Sequence, residues 1–89
     1  MIDDYLLYKN IPSLDLHGEN KESALYFLRD FINDNVMLKN KLVKVVHGKG
    51  KYILKRAIHD DLRRNKMVKD FKTDIYNDGV TIVLLNIKK

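Results

Sequence analysis

Twice in this chain a short apolar run ends in His-Gly, at His17-Gly18 and at His47-Gly48. Each time the hydrophobic period then changes from strand-like alternation to helical spacing. Few folds are open to a chain punctuated in this way. A strand that passes into a helix through a glycine turn is the repeating unit of an open α/β sheet, and such sheets place their ligands at these junctions. Two titratable imidazoles are therefore expected at one edge of one sheet.

The rest of the chain fits that frame. Pro12, the only proline, precedes a strand, where its missing donor costs nothing. Leu14-Asp15-Leu16-His17 alternates as a half-buried strand does. Beyond Asn20, a good N-cap, Ala24, Leu25, Leu28, Phe31, Ile32 and Val36 recur at three- and four-residue spacing and predict a helix. Asn33-Asp34-Asn35 reads as its fraying end. Leu42–Val46 is a β-branched run suited to a central strand. A second helix is expected to bury Ile53, Leu54, Ala57, Ile58 and Leu62, with Arg63 and Arg64 near its C-terminus, where the macrodipole favours cations. Met67–Ile75 reads as an edge strand protected by Lys69 and Lys72. Asn77-Asp78-Gly79 is a hairpin turn, and Val80–Ile87 is the most apolar strand.

The predicted fold is thus α/β, a two-layer β-α-β-α-β-β sandwich. Right-handed crossovers make the first three strands parallel, and the hairpin makes the fourth antiparallel. With the two most apolar strands central, the four-stranded mixed sheet has the order 1-2-4-3, with both helices on one face. Residues 1–10, with Tyr5-Leu6-Leu7-Tyr8, are expected to be an N-terminal arm or linker remnant, and residues 11–89 the domain. The C-terminal ends of the parallel strands and the hairpin tip share one rim, so His17, His47 and Thr81 should converge there. Parity sets a condition on this. If Lys44 faces away from the helices, His47 points toward them and His17 toward the open face, so the rings meet only if the glycine turns bend.

Composition removes several classes of function. No cysteine is present, which excludes disulfides and thiolate chemistry. No apolar run approaches the roughly 18 residues of a spanning helix, and no signal peptide is visible, so a cytoplasmic, non-membrane protein is the expectation. Seventeen basic against twelve acidic residues give a net charge of +5, which favours a polyanionic partner.

At the rim, Gly48-Lys49-Gly50 opens the second helix, whose first backbone donors would form an anion pocket beside a mobile ammonium. The plainer alternative is a βα turn whose glycines permit tight packing. Asp15 and His17, two apart on a strand, project from the same side, so the carboxylate can orient the imidazole for proton transfer. The alternative is a solvated aspartate beside a strand-end histidine. Two histidines and an aspartate lack metal-ligand spacing, so no cofactor is assigned, with a loosely bound Mg²⁺ kept as the alternative. Lys51, Lys55, Arg56, His59 and Arg63 lie on the polar side of the second helix, either as a solvated face or as a phosphate track, with Tyr52 able to stack on a base.

Leu14-Asp15-Leu16-His17-Gly18, His47-Gly48-Lys49-Gly50 and Gly79-Val80-Thr81-Ile82-Val83 together resemble the blocks of the Smr (small MutS-related) domain. The resemblance runs from about Ser13 to Ile87. It implies a sandwich like the C-terminal domain of bacterial translation initiation factor three, and nucleic-acid binding with endonuclease activity, as DNA nicking or RNA cleavage. Carried over, the functional blocks are Asp15, His17 and Gly18, then His47, Gly48 and Gly50. Taken with the reading of the residues above, Asp15, His17 and His47 are the expected catalytic residues. Gly18, Gly48, Lys49, Gly50, Lys51, Lys55, Arg56 and Thr81 are the expected nucleic-acid contacts. Where family members carry a glycine-rich stretch before the last strand, this chain has only Gly79. The alternative is a non-catalytic module that binds nucleic acid or the ribosome, and a third is a protein adaptor using the open sheet face and the Tyr5-Leu6-Leu7-Tyr8 arm. A monomer is the default expectation.

Overall fold

The computed structural model describes residues 10–49 and 52–87. The elements are β1 (Ser13–Asp15), α1 (Lys21–Met37), β2 (Leu42–Val46), α2 (Tyr52–Arg64), β3 (Val68–Thr73) and β4 (Val80–Leu85). The sheet order is β1-β2-β4-β3, as the hydrophobicity of the strands predicts. β1 and β2 are parallel, and β4 runs antiparallel to both β2 and β3.

Strand parity sorts side chains into two layers. Val43 and Val45 on β2 pair with Val83 and Thr81 on β4, and all four are fully buried. They form one core with Leu16, with Ala24, Leu28 and Ile32 of α1, and with Leu54, Ile58 and Leu62 of α2. The opposite sheet face carries the row Lys44, Ile82, Lys72 in register. Ile82 is buried there between two lysines, whose aliphatic stems can cover it while their charges stay in water. The two helices are joined at the surface by a fork, with Arg29 Nη2 donating to Asp61 Oδ1 at 2.7 Å and Nε at 3.2 Å.

Three local expectations are corrected. α1 does not fray at Asn33-Asp34-Asn35 but continues to Met37, and Asn35 is buried. Its Nδ2 donates to Phe31 O, its Oδ1 accepts from Asn40 Nδ2, and its carbonyl accepts from Asn40 N. With Lys39 N bonded to Val36 O and Lys39 at φ 62°, this is a Schellman stop with lysine where glycine is usual. Ile53 is 79% exposed, because the buried stripe of α2 runs Leu54, Ile58, Leu62 and turns Ile53 outward. The β3–β4 connection spans residues 74–79 instead of forming a tight hairpin. The turn expected at Asn77-Asp78-Gly79 is present, with Val80 N donating to Asn77 O at 3.1 Å, but a second turn, Asn77 N to Asp74 O, precedes it. Asp74 Oδ1 accepts from Tyr76 N and Asn77 Oδ1 from Gly79 N, so side-chain turns brace both. The expected arm at residues 1–10 lies outside the described residues, apart from Asn10.

Candidate nucleic-acid interface

The rim is built by backbone first. Leu16 N continues the β1–β2 ladder by donating to Val46 O at 2.7 Å, and Leu16 is buried. Glu19 N then donates back to Leu16 O, closing a four-residue turn with Gly18 at φ 86°. A turn with a left-handed third residue favours glycine there. The anchored leucine and the glycine turn thrust His17 out at the tip, with its side chain 74% exposed. Asp15 Oδ1 accepts from His17 N at 3.0 Å and lies 3.8 Å from His17 Nδ1. The carboxylate therefore fixes the backbone under the ring and lies beside its Nδ1.

The second His-Gly step meets the first. Gly48 has φ 87°, and a Cβ built there would lie 3.5 Å from His17 Cβ and 3.9 Å from its Cδ2. The His17 side chain thus packs on the bare face of Gly48. Gly79, at the hairpin tip, accepts from both His47 N and Gly48 N through its carbonyl, at 2.9 and 3.1 Å. A Cβ on Gly79 would come within 3.0 Å of the Gly48 carbonyl carbon and 3.1 Å of Lys49 N, so this single glycine permits the close approach. The backbones of the two His-Gly steps and of the hairpin tip therefore meet at one rim.

His47 takes the inward direction that parity implies. It is 1% exposed, and its side chain lies below the rim. His47 Nδ1 is 3.2 Å from Gly48 O, its Nε2 is 2.8 Å from Thr81 Oγ1, and His59 Nε2 is 2.7 Å from the same oxygen. A carbonyl can only accept, so Nδ1 of His47 carries its proton and Nε2 accepts from the Thr81 hydroxyl. That hydroxyl, with its one hydrogen spent, accepts from His59 Nε2–H. The result is a directed chain, His59 to Thr81 to His47 to the Gly48 carbonyl.

Burial lowers the His47 pKa, with the nearby Lys55 charge adding to the effect against the raising influence of the Gly48 carbonyl and Asp78. Burial, then His47, Lys55 and Arg63, push His59 down to about 4. Both rings are neutral at pH 7. Phe71 closes the cluster edge-on to His59 at 4.9 Å, and His47 meets His59 edge-on at 5.9 Å.

Several site expectations are thereby revised. His47 and Thr81 (0% exposed) do not reach the surface, because Val43-Val45-His47 and Thr81-Val83-Leu85 each alternate toward the helices. They hold the rim from beneath. Asp15, His17, Gly18, Lys49 and Arg56 are exposed, while Gly48 and Lys55 are half-buried. Gly50 and Lys51 lie outside the described residues. His59, expected on the polar side of the second helix as part of a solvated face or a phosphate track, is the cluster member that sequence reasoning missed. The available signal was Thr81 itself, a hydroxyl in the inward register of an apolar strand that required partners. Among the described residues no set of three or more His, Asp or Glu side chains gathers to hold a metal. No described helix is long and apolar enough to cross a membrane.

Comparison with known proteins agrees with this architecture. The family model of the Smr domain matches residues 14–86. The chain is 41% identical over 66 residues to an endonuclease MutS2 from Finegoldia magna, covering 74% of this chain and 8% of that protein. It is 36% identical over 77 residues to an endonuclease MutS2 from Clostridium perfringens, covering 83% and 10%. It therefore spans about a tenth of the length of these relatives. The crystal structure of the Smr domain of Thermus thermophilus MutS2 superimposes with a TM-score of 0.83 at 30% identity, covering 85% of this chain and 99% of that one. YdaL, a stand-alone small MutS-related protein from Escherichia coli, shares the fold with a TM-score of 0.80 at 21% identity, covering 96% and 77%. On the match across residues 14–86, this chain belongs to the Smr domain family.

Proposed function

We propose that this domain binds nucleic acid at the His17–Gly48–Lys49 rim and cuts it endonucleolytically, with His17 as the proton-transfer group. The observation that carries this reading is the exposed His17 imidazole, seated on Gly48 and backed by Asp15. Its relatives named as endonucleases support the activity class. Lys49, exposed beside it, supplies positive charge for a phosphate. With RNA, His17 would take the proton of a 2′-hydroxyl as its oxygen attacks the adjacent phosphorus. The bond to the 5′-oxygen then breaks, and that oxygen takes a proton from solvent. The products are a 2′,3′-cyclic phosphate and a 5′-hydroxyl end. With DNA a water molecule must attack instead, and the products are a phosphate end and a hydroxyl end.

The burial of His47 favours one competing reading, a binding module without cleavage, because only one imidazole reaches the surface. Labelled all-ribo and all-deoxy oligonucleotides, with and without EDTA, separate the cases. His17→Ala should reduce cleavage by orders of magnitude and leave most of the binding. Wild-type protein that binds without cutting establishes the module, and cleavage that survives His17→Ala removes His17 from the chemistry.

A further inference from the structure

On α2, beside the rim but separate from it, Tyr52, Lys55, Arg56, His59, Asp60 and Arg63 line a depression of about 270 Å³. That is near the roughly 300 Å³ lower bound of small-ligand clefts. The spacing of three and four places these residues on successive turns of one helix face. Their charges do not balance. Asp60 is committed to Arg63, whose Nη1 donates to its Oδ1 at 3.0 Å, and the Arg63 guanidinium also lies 5.6 Å from the centre of the Phe71 ring. Among the described residues neither Lys55 nor Arg56 has a carboxylate at ion-pairing distance. Lys55 is half-buried, and its charge already bears on two neutral imidazoles. Two cations on one cleft wall, with no carboxylate at ion-pairing distance among the described residues, leave an anion to be supplied from outside. Tyr52, also on the lining, is 72% exposed and carries an aromatic ring able to stack on a base.

We infer that this α2 cleft seats one unpaired nucleotide, its phosphate held by Lys55 and Arg56 and its base stacked on Tyr52. The inference rests on the nucleic-acid reading above and deepens it by assigning a second anchor and a preference for single strands. An aromatic face needs a base whose own face is free, which a paired base inside a duplex does not offer. His59 also lines the cleft, and its hydrogen bonds run through Thr81 and His47 to the carbonyl of Gly48, on which His17 packs. A nucleotide seated here and a phosphate at the rim would therefore rest on the same rigid chain of groups.

Fluorescence anisotropy with a labelled single-stranded 12-mer and the matching duplex, between 50 and 200 mM KCl, tests the assignment. In Lys55→Gln/Arg56→Gln the slope of log K against log salt should become shallower by about 0.7 for each lost phosphate contact. Lys39→Gln/Lys69→Gln, on exposed positions away from the cleft, serves as the charge control. Tyr52→Ala should weaken single-strand binding on the order of tenfold at every salt concentration, with Tyr52→Phe restoring it and duplex binding unchanged. Cleft variants that behave as the control does overturn the cleft while leaving His17-dependent cleavage standing. Wild-type protein that binds neither probe overturns both the cleft and the proposed function.

Discussion

His17 and His47 are separated by the backbone of one residue, Gly48, with the first side chain packed on its bare α-carbon and the second bonded to its carbonyl. Thirty residues of sequence and two different layers are joined at that point. The exposed imidazole is where a substrate can be met, and the buried one fixes the surface on which it stands. Replacing His47 should therefore damage folding and function together, whereas replacing His17 should damage function alone. Circular dichroism melts of His17→Ala and His47→Ala, run beside the cleavage assay, distinguish these outcomes.

Thr81 bonds to two rings, so its loss has more than the usual effect of a single hydroxyl. Thr81→Val keeps the shape but leaves Nε2 of His47 and Nε2–H of His59 without partners inside the domain. At about 1–3 kcal/mol for each of the two unsatisfied groups, urea denaturation should show a loss of about 2–6 kcal/mol. Thr81→Ser, which retains the hydroxyl, should recover most of it.

Stability should depend on pH in a window set by the same cluster. His59 is held at about 4, and His47 is lowered, against an unfolded value near 6.5. Between those values the unfolded chain binds protons that the folded one refuses. Stability is therefore full above about pH 6.5 and declines as pH falls toward 4. Melting temperatures measured from pH 7.5 to 4.5 should fall through this range. His59→Gln should flatten the decline, because it removes one of the two groups responsible.

The two rim glycines should fail for different reasons. Gly48→Ala places an L side chain at φ 87°, a backbone strain of about 1–2 kcal/mol, though its Cβ meets His17 only at ordinary contact distance. Gly79→Ala has no such strain but drives a Cβ to 3.0 Å from the Gly48 backbone, which must shift. Both should reduce oligonucleotide binding, and Gly79→Ala should also perturb the amide resonances of Gly48 and Lys49 in a ¹⁵N spectrum.

Lys39 offers a change in the favourable direction. It occupies the left-handed position of the α1 stop at φ 62°, and Lys39→Gly removes the clash of its Cβ with the backbone. A gain of about 0.5–1 kcal/mol, or a few degrees in melting temperature for a domain of this size, should follow. Thermal denaturation measures it, and nucleic-acid binding at the opposite end of the sheet should not change.

Periodicity and turn residues were enough to determine the element order, the central places of β2 and β4, and the rim at which two His-Gly steps meet, because hydrophobic spacing and glycine turns act locally. Parity even implied the inward direction of His47, since side chains alternate along a strand whatever surrounds it. The partners of that buried ring were decided by tertiary structure alone. Nothing local to Thr81 or His59 records that one hydroxyl will lie within 2.8 Å of two imidazoles drawn from β2 and α2. The same holds for Gly79, whose importance comes from the backbone of Gly48 lying against it across the sheet. Local patterns establish which way a side chain faces, and only the packing of distant elements establishes what it faces.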